Sequence, residues 1–352
     1  MDEARVTLQD IANKVGVSPS TVQRALYGID GVGRARRDEI RKIAETMGYR
    51  RNLSASALKT GSRTVAVILP EPVGNNRFYA RFLWEGALRC SEKYKEFNLN
   101  VVEFTYVRTH ENHAAKLREA FDSHGDRLDG VLTMGTSTPE AEEVFSEFAG
   151  RGVPVVFVGT DARECDRVCC VRTYDEMAGR MAADLLINFA SPKKHSKIVM
   201  TGDFTIADQF LNAQGFERHL LENGPPLEIL KLSNDPDLEV VEKGIREMLE
   251  SGLDICAVYA TSSRNTVPMC RAAMYNGARG DVRIIGSDIF PESIEFLRNR
   301  VLDAIIHKRP SDQAYQAMQT LVNVVIKGEA AERDTVQIDS VIVMKSNLEC
   351  FL

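Results

Sequence analysis

From Thr64 onward the chain alternates two periodicities, and that alternation restricts its fold more than any other feature. Nine short runs rich in apolar and β-branched residues are expected as strands, at 65–69, 99–105, 130–134, 153–158, 198–200, 228–232, 255–259, 282–285 and 302–307. Seven stretches have helical spacing, at 78–97, 138–150, 174–189, 208–223, 238–251, 264–276 and 311–327. Strands alternating with helices build parallel sheets covered on both faces. Nine strands exceed one compact sheet, so the expectation is an α/β body of two lobes. Ligands of open parallel sheets bind at the carboxyl ends of the strands. Two lobes facing each other would make a cleft there.

The segment before this body has another character. Thr7 can cap a first helix, with Asp10 three residues on. Leu8, Ile11, Ala12 and Val15 recur at helical spacing. Gly16 permits a left-handed turn. Ser18 suits the cap of a second helix and Pro19 its first position. Val22 and Leu26 then point inward, leaving Ser20, Thr21, Gln23, Arg24 and Tyr27 outside. A third helix buries Ile40, Ile43, Ala44 and Met47 and stops at Gly48. Helix, glycine turn and capped helix are how a helix-turn-helix presents its second helix to the DNA major groove. The competing reading is a small helical cap on a larger domain. Charge favours DNA: residues 1–63 hold 12 Lys and Arg against 7 Asp and Glu, the remainder 32 against 43, and the whole chain is −6. A basic head on an acidic body places phosphate contact at one end.

Several classes are disfavoured. No apolar run approaches the ~20 residues that span a bilayer. The charged start lacks the apolar stretch of a secretory signal, so a cytoplasmic protein is expected. Seven cysteines, an odd number, do not suggest a disulfide framework. Cys165, Cys169 and Cys170 cluster, but with His195 they fit no familiar metal spacing, and small core residues are the expected reading. No dinucleotide fingerprint, phosphate loop, nucleophile elbow or zinc-protease motif occurs. No catalytic residue, metal or cofactor is therefore expected, and the body reads as a binding module. The alternatives are a sensor or transport receptor whose head contacts protein, and an enzyme fused to a DNA-binding head.

Residues 50–63 are small, polar and basic around one large apolar residue, Leu58. They read either as a tether or as a short helix that forms only on DNA, where Leu58 could wedge into a minor-groove step.

Together these residues resemble the lactose-repressor/galactose-repressor family of bacterial transcription regulators, over the whole chain. The resemblance is strongest at Thr7, Leu8, Asp10, Ile11, Ala12, Gly16, Val17, Ser18, Thr21, Val22, Arg24 and Leu26. It continues in register through Gly48, Tyr49, Arg50, Asn52, Ala55, Leu58, Lys59, Thr60 and Gly61. The resemblance implies a helix-turn-helix head (1–50), a hinge helix or linker (51–63) and a two-lobed body like a periplasmic binding protein (64–352). Its lobes are expected at about 64–173 with 302–330, and 174–301 with 331–352. A homodimer on a near-palindromic double-stranded operator is implied, with a sugar-like effector in the cleft. Thr7, Ser18, Thr21 and Tyr27 would lie near phosphates, and Pro19, Ser20, Gln23 and Arg24 near base edges. Asn52, Ala55 and Leu58 would belong to the hinge, with Leu58 the intercalating lever.

In the body the family's arginine-to-Gly-Phe element appears as Asn212 to Gly215-Phe216, with Asn in place of Arg. Gly286-Ser287-Asp288 matches the element whose Asp contacts ligand, and Phe78 and Tyr79 stand where an aromatic meets the sugar face. Effector contacts are therefore expected at Phe78, Tyr79, Asn212 and Asp288. Gln23 replaces a common Ser, Gly33 a capping Ser, and Ser56 a hinge Arg. Residues 346–348 end the chain without a heptad helix, so a tail-driven tetramer is not expected.

Arg24→Ala should weaken discrimination at one base pair of each half-site by about 1–3 kcal/mol. Anisotropy titrations against single-base operator variants check this; an equal loss on every sequence would remove Arg24 from base reading.

Overall fold

The computed structural model describes residues 6–27, 31–49, 62–107, 109–162, 164–190, 196–275 and 282–352. Three helices come first: α1 (Leu8–Val15), α2 (Pro19–Tyr27) and α3 (Arg34–Thr46). They close on a small core of Ile11, Ala12, Val22, Ala25, Ile40 and Ala44. Gly16 ends α1 at φ 74°, in the left-handed conformation that an L side chain resists. Arg36 of α3 donates Nη2 to the Val15 carbonyl at 2.9 Å, satisfying a carbonyl that α1 leaves open at its end. Gly33 precedes α3 and supplies no side-chain cap.

The body is two six-stranded sheets. The first has the order β11-β5-β4-β3-β1-β2, built from β1 (Arg63–Pro70), β2 (Leu99–Tyr106), β3 (Gly130–Thr133), β4 (Val155–Val158), β5 (Cys169–Thr173) and β11 (Thr335–Ile338). All its pairings are parallel. The second runs β12-β10-β9-β8-β6-β7, from β6 (Lys197–Gly202), β7 (Glu228–Ser233), β8 (Ile255–Ala260), β9 (Arg283–Ser287), β10 (Ala304–His307) and β12 (Val341–Val343). Only β12 joins it antiparallel. Alternate residues of β1 feed two cores. Val65, Val67 and Leu69 pack on one face of the sheet, and Ala66 and Ile68 on the other. Both faces are covered, which is why such strands read as continuous apolar runs.

All nine expected strands form. Three more, β5, β11 and β12, lack a long apolar run. The structure also adds helices at His110–His124 and Pro291–Arg298 that the periodicity did not announce. In β5, Cys169 and Cys170 are consecutive strand residues, so they face opposite cores. They cannot ligate one ion. Both are fully buried, and burial raises both thiols above their ordinary value.

The expected lobe limits need correction at two strands. β10 belongs to the second sheet and β11 to the first. The chain leaves the second lobe only after β10 and returns to it only after β11. It thus passes between lobes three times, near residues 174, 308 and 340. Thr173 and Ser340 bind two of these crossings together, Oγ to Oγ at 2.8 Å, and Thr173 also donates to the Ile338 carbonyl at 3.1 Å.

In the second lobe α4 (Asp175–Phe189) and α5 (Ala207–Asn223) cross at glycines. A Cβ on Gly179 would lie 1.9 Å from the Asn212 carbonyl oxygen, and one on Gly215 2.1 Å from that of Glu176. Gly179→Ala should therefore destabilise the body by about 1–3 kcal/mol through overpacking. Gly150→Ala, where a Cβ meets nothing within 4 Å, should not. Urea unfolding of the two variants tests the crossing; equal stabilities would refute it.

Candidate functional site

In the head, Thr7 and Asp10 form a reciprocal cap. Thr7 Oγ1 accepts from Asp10 N at 3.3 Å and Asp10 Oδ2 from Thr7 N at 2.8 Å. The Thr7 hydroxyl also bonds Asp10, which holds that carboxyl below its usual range. Ser18 Oγ accepts from Thr21 N at 3.1 Å and meets the hydroxyls of Ser20 and Thr21 at 2.7 and 2.8 Å. A polar cluster therefore opens α2. Ser18, Ser20, Gln23 and Arg24 are exposed, Pro19 and Thr21 half-buried, and Val22 and Ala25 buried. Of the residues expected near DNA, Ser20, Gln23 and Arg24 are thus exposed side chains of α2. The Tyr27 side chain and Asn52, Ala55 and Leu58 lie outside the described residues.

In the body, a cavity of about 370 Å³ opens between the lobes, at the carboxyl ends of both sheets. From the first lobe come Asn75, Asn76 and Tyr79 after β1, Tyr106 and His113 after β2, Thr136 after β3 and Thr160 after β4. From the second come Asp203, Asp208 and Gln209 after β6, Asn234 after β7, Ser262 and Arg264 after β8, and Lys308 after β10. His113 is buried, stacked on Tyr106 at 4.5 Å, with its ring nitrogens at the hydroxyls of Thr136 and Thr133. Gln209 Oε1 accepts from Asp203 N at 2.8 Å, tying the loop that carries Asp203 to the helix that carries Asp208.

Of the four residues expected to meet ligand, only Tyr79 lines this cavity. Phe78 is 1% exposed and packs on Phe290 of the other lobe, centroid to centroid 4.8 Å. Arg77 covers its other side at 4.0 Å and bonds Glu292 at 2.9 Å. Phe78 therefore ties lobe to lobe beside the cavity. Asn212 is buried where α5 passes beneath Gly179, and its Oδ1 accepts from Tyr259 at 2.6 Å. It sits over a turn beyond the helix start, about 7 Å from the end that faces the cleft.

Asp288 is wholly buried, at φ 61°. Its Oδ1 accepts from Lys308 N at 2.8 Å, with His307 Nδ1 at 3.3 Å and Lys308 Nζ 3.8 Å from Oδ2. Burial opposes its ionisation, but Lys308 and His307 outweigh that and hold its carboxyl below the usual range. It joins the end of β9 to the β10 crossing, as a turn residue. The residues that do line the cavity lie at strand ends or within about ten positions after them. That position, rather than any motif, was the available signal.

Asp175, at the first crossing, is buried and accepts from Arg172 at 2.6 Å. Burial, then the negative charge of Asp208, push it up to about 7, against the pull of Arg172 and Lys308.

Two family models match the chain. Residues 7–52 match bacterial regulatory proteins of the lacI family, and residues 66–330 match the periplasmic binding protein domain. Among curated relatives, the transcriptional regulator GntR of Pseudomonas aeruginosa is 27% identical over 230 residues, 64% of this chain and 62% of that protein. CelR of Thermobifida fusca is 27% identical over 296 residues, 81% of this chain and 82% of that regulator. In shape, the body is similar to a putative LacI transcriptional regulator from Bacteroides fragilis, with TM-score 0.72 and 16% identity over 83% of this chain and 100% of that one. The glucose-galactose binding protein GanP of Geobacillus stearothermophilus gives TM-score 0.69 and 21% identity over 82% of this chain and 99% of that one. The chain belongs to the lacI family of bacterial regulatory proteins, with a periplasmic-binding-protein domain as its body. It is a DNA-binding transcriptional regulator with a small-molecule effector domain. Among the described residues no helix is long and apolar enough to cross a membrane.

Asp175 supplies a pH test. In the folded protein it keeps its proton to about pH 7, against an ordinary value of 3.8. Its contribution to stability is complete below the unfolded value and is lost as pH rises through the folded one. Asp208→Asn removes the second-largest cause, so the variant should gain Tm relative to the parent between pH 5.5 and 8.5. Parallel Tm profiles would contradict the coupling.

Proposed function

We propose that two copies of this chain bind a near-palindromic operator as a cytoplasmic repressor, and that a sugar-like molecule in the interlobe cleft sets their DNA affinity. One observation carries the proposal: a helix whose polar residues Ser20, Gln23 and Arg24 lie exposed is joined in one chain to a polar cleft at the strand ends of two parallel sheets. The first supplies base-reading side chains, with the Ser18 cluster set toward phosphates. The second offers a volume suited to a small polar ligand.

The two lobes are linked by three crossings, so occupancy of the cleft can bias their relative angle. In a dimer that angle sets the separation of the two segments leading to the heads, 50–63, where Asn52, Ala55 and Leu58 would enter the minor groove. A coupling of about 1–3 kcal/mol changes operator affinity roughly 5- to 150-fold. Tyr79 is the expected stacking surface. Phe78, Asn212 and Asp288 act at one remove, by fixing the walls.

Thermal-shift screening of sugars and polyols, followed by operator titration with each hit, tests the scheme. A ligand at 100 times its Kd adds about 2.7 kcal/mol to stability. At least one hit should change operator affinity at least fivefold, and sedimentation should show a dimer. A monomer with no preference for inverted repeats over random duplex would overturn the proposal.

A further inference from the structure

The cleft's hydrogen-bond polarity can be followed atom by atom. His113 Nε2 lies 2.8 Å from Thr133 Oγ1, and that hydroxyl donates to the Ile68 carbonyl at 2.8 Å. A hydroxyl has one proton. Thr133 therefore accepts from Nε2–H, and in the neutral ring Nδ1 is the bare nitrogen. Nδ1 accepts the Thr136 proton across 2.6 Å. Thr136 Oγ1 is left with lone pairs for the cleft.

Other hydroxyls follow the same rule. Thr160 donates to the Gly135 carbonyl at 2.9 Å, and Thr205 to Asp203 Oδ1 at 2.5 Å. On the second lobe's wall, Asp208 Oδ1, Asn234 Oδ1 and Ser262 Oγ are buried and have no hydrogen-bond partner among the described residues. Ser262 is only 8% exposed and lines the cavity. An unmet buried polar atom costs about 1–3 kcal/mol, which a ligand group would recover; at the Asp208 and Asn234 oxygens that group must be a donor, whereas the Ser262 hydroxyl could take either role.

Two cationic atoms of the wall are held by backbone carbonyls. Lys308 Nζ donates to the Thr261 carbonyl at 3.2 Å and sits 3.8 Å from the Asp288 carboxylate. Arg264 Nη2 donates to the Asp235 carbonyl at 2.6 Å. Asp203 and Asp208 add their carboxylates to the cleft lining, where Lys308 is drawn back toward Asp288.

We infer that the cleft selects a polyhydroxylated ligand bearing a protonated amine, set against Asp208, and discriminates against carboxylate- and phosphate-bearing sugars. This rests on the effector reading above and names its chemical class. His113 is a positioning residue: it turns the Thr136 hydroxyl so that the ligand must donate.

The full-length protein is titrated calorimetrically with two matched series. Each comprises the neutral hexose (glucose, galactose), its 2-amino derivative, its aldonic acid and its 6-phosphate. In at least one series the amine should bind about tenfold or more tighter than the neutral sugar, and the two anions more weakly still. Asp208→Asn should erase the preference for the amine over the neutral sugar, lowering affinity for the amine more than for the neutral sugar. Thr136→Val should weaken both alike. An acid or phosphate that binds as tightly as its neutral partner overturns the inference and leaves the effector reading standing. So does equal affinity for amine and neutral sugar. If no member of either series binds, the sugar-like effector reading itself fails, and the inference with it.

Discussion

Parallel strands joined by helices must all finish on the same edge of their sheet, and the geometry of this body follows from that constraint. The central strands are apolar because they are covered on both faces, so polar residues are pushed to their ends. Tyr79, Thr136 and Thr160 in one lobe, and Asp208, Asn234 and Lys308 in the other, arrive from well-separated parts of the chain. They meet because the strands that deliver them run in one direction. The cleft is a by-product of topology, and its chemistry is set by which residues follow each strand.

The contacts that hold the lobes in register are of another kind. Phe78 against Phe290, Arg77 with Glu292, and Asn75 Nδ2 donating to the Pro236 carbonyl at 2.9 Å form a band beside the cavity. The first is apolar and buried, the others exposed. Exposed pairs contribute little in water. The aromatic contact therefore dominates this band, and it is broken if the lobes separate. The crossings behind the cavity, with Asp288 clasping the backbone of Lys308, stay intact in such a motion.

How much of this could be read in the sequence varied with the physics of each part. The head was legible residue by residue, because caps and glycine turns act over three or four positions: Thr7 with Asp10, Gly16, and Ser18 with Thr21. The strands were legible where burial on both faces demanded apolar runs, as at 65–69 and 255–259. β5 was obscured because Cys-Cys-Val-Arg-Thr reads first as a thiol cluster. β11 and β12 were obscured because each is only three or four residues long. The cavity was least legible. Asn212 and Asp288 occupy motif positions that face ligand in the family, yet here they bond Tyr259 and Lys308. Motif spacing fixes where a residue lies along the chain, whereas a side chain's direction depends on partners outside the motif, 47 residues away for Asn212 and 20 for Asp288. His113 shows the converse: nothing in its neighbourhood marks it, and its role appears only beside Thr133 and Thr136.

The threefold passage of the chain between lobes has a consequence for biosynthesis. The head is complete by Tyr49, but the first lobe lacks its edge strand until Ile338 has been made, after nearly all of the second lobe. Neither lobe is a contiguous segment that could mature alone on the ribosome. A nascent chain therefore carries a finished DNA-reading module long before it has a finished sensor, and regulation by metabolite begins only with release of the whole polypeptide.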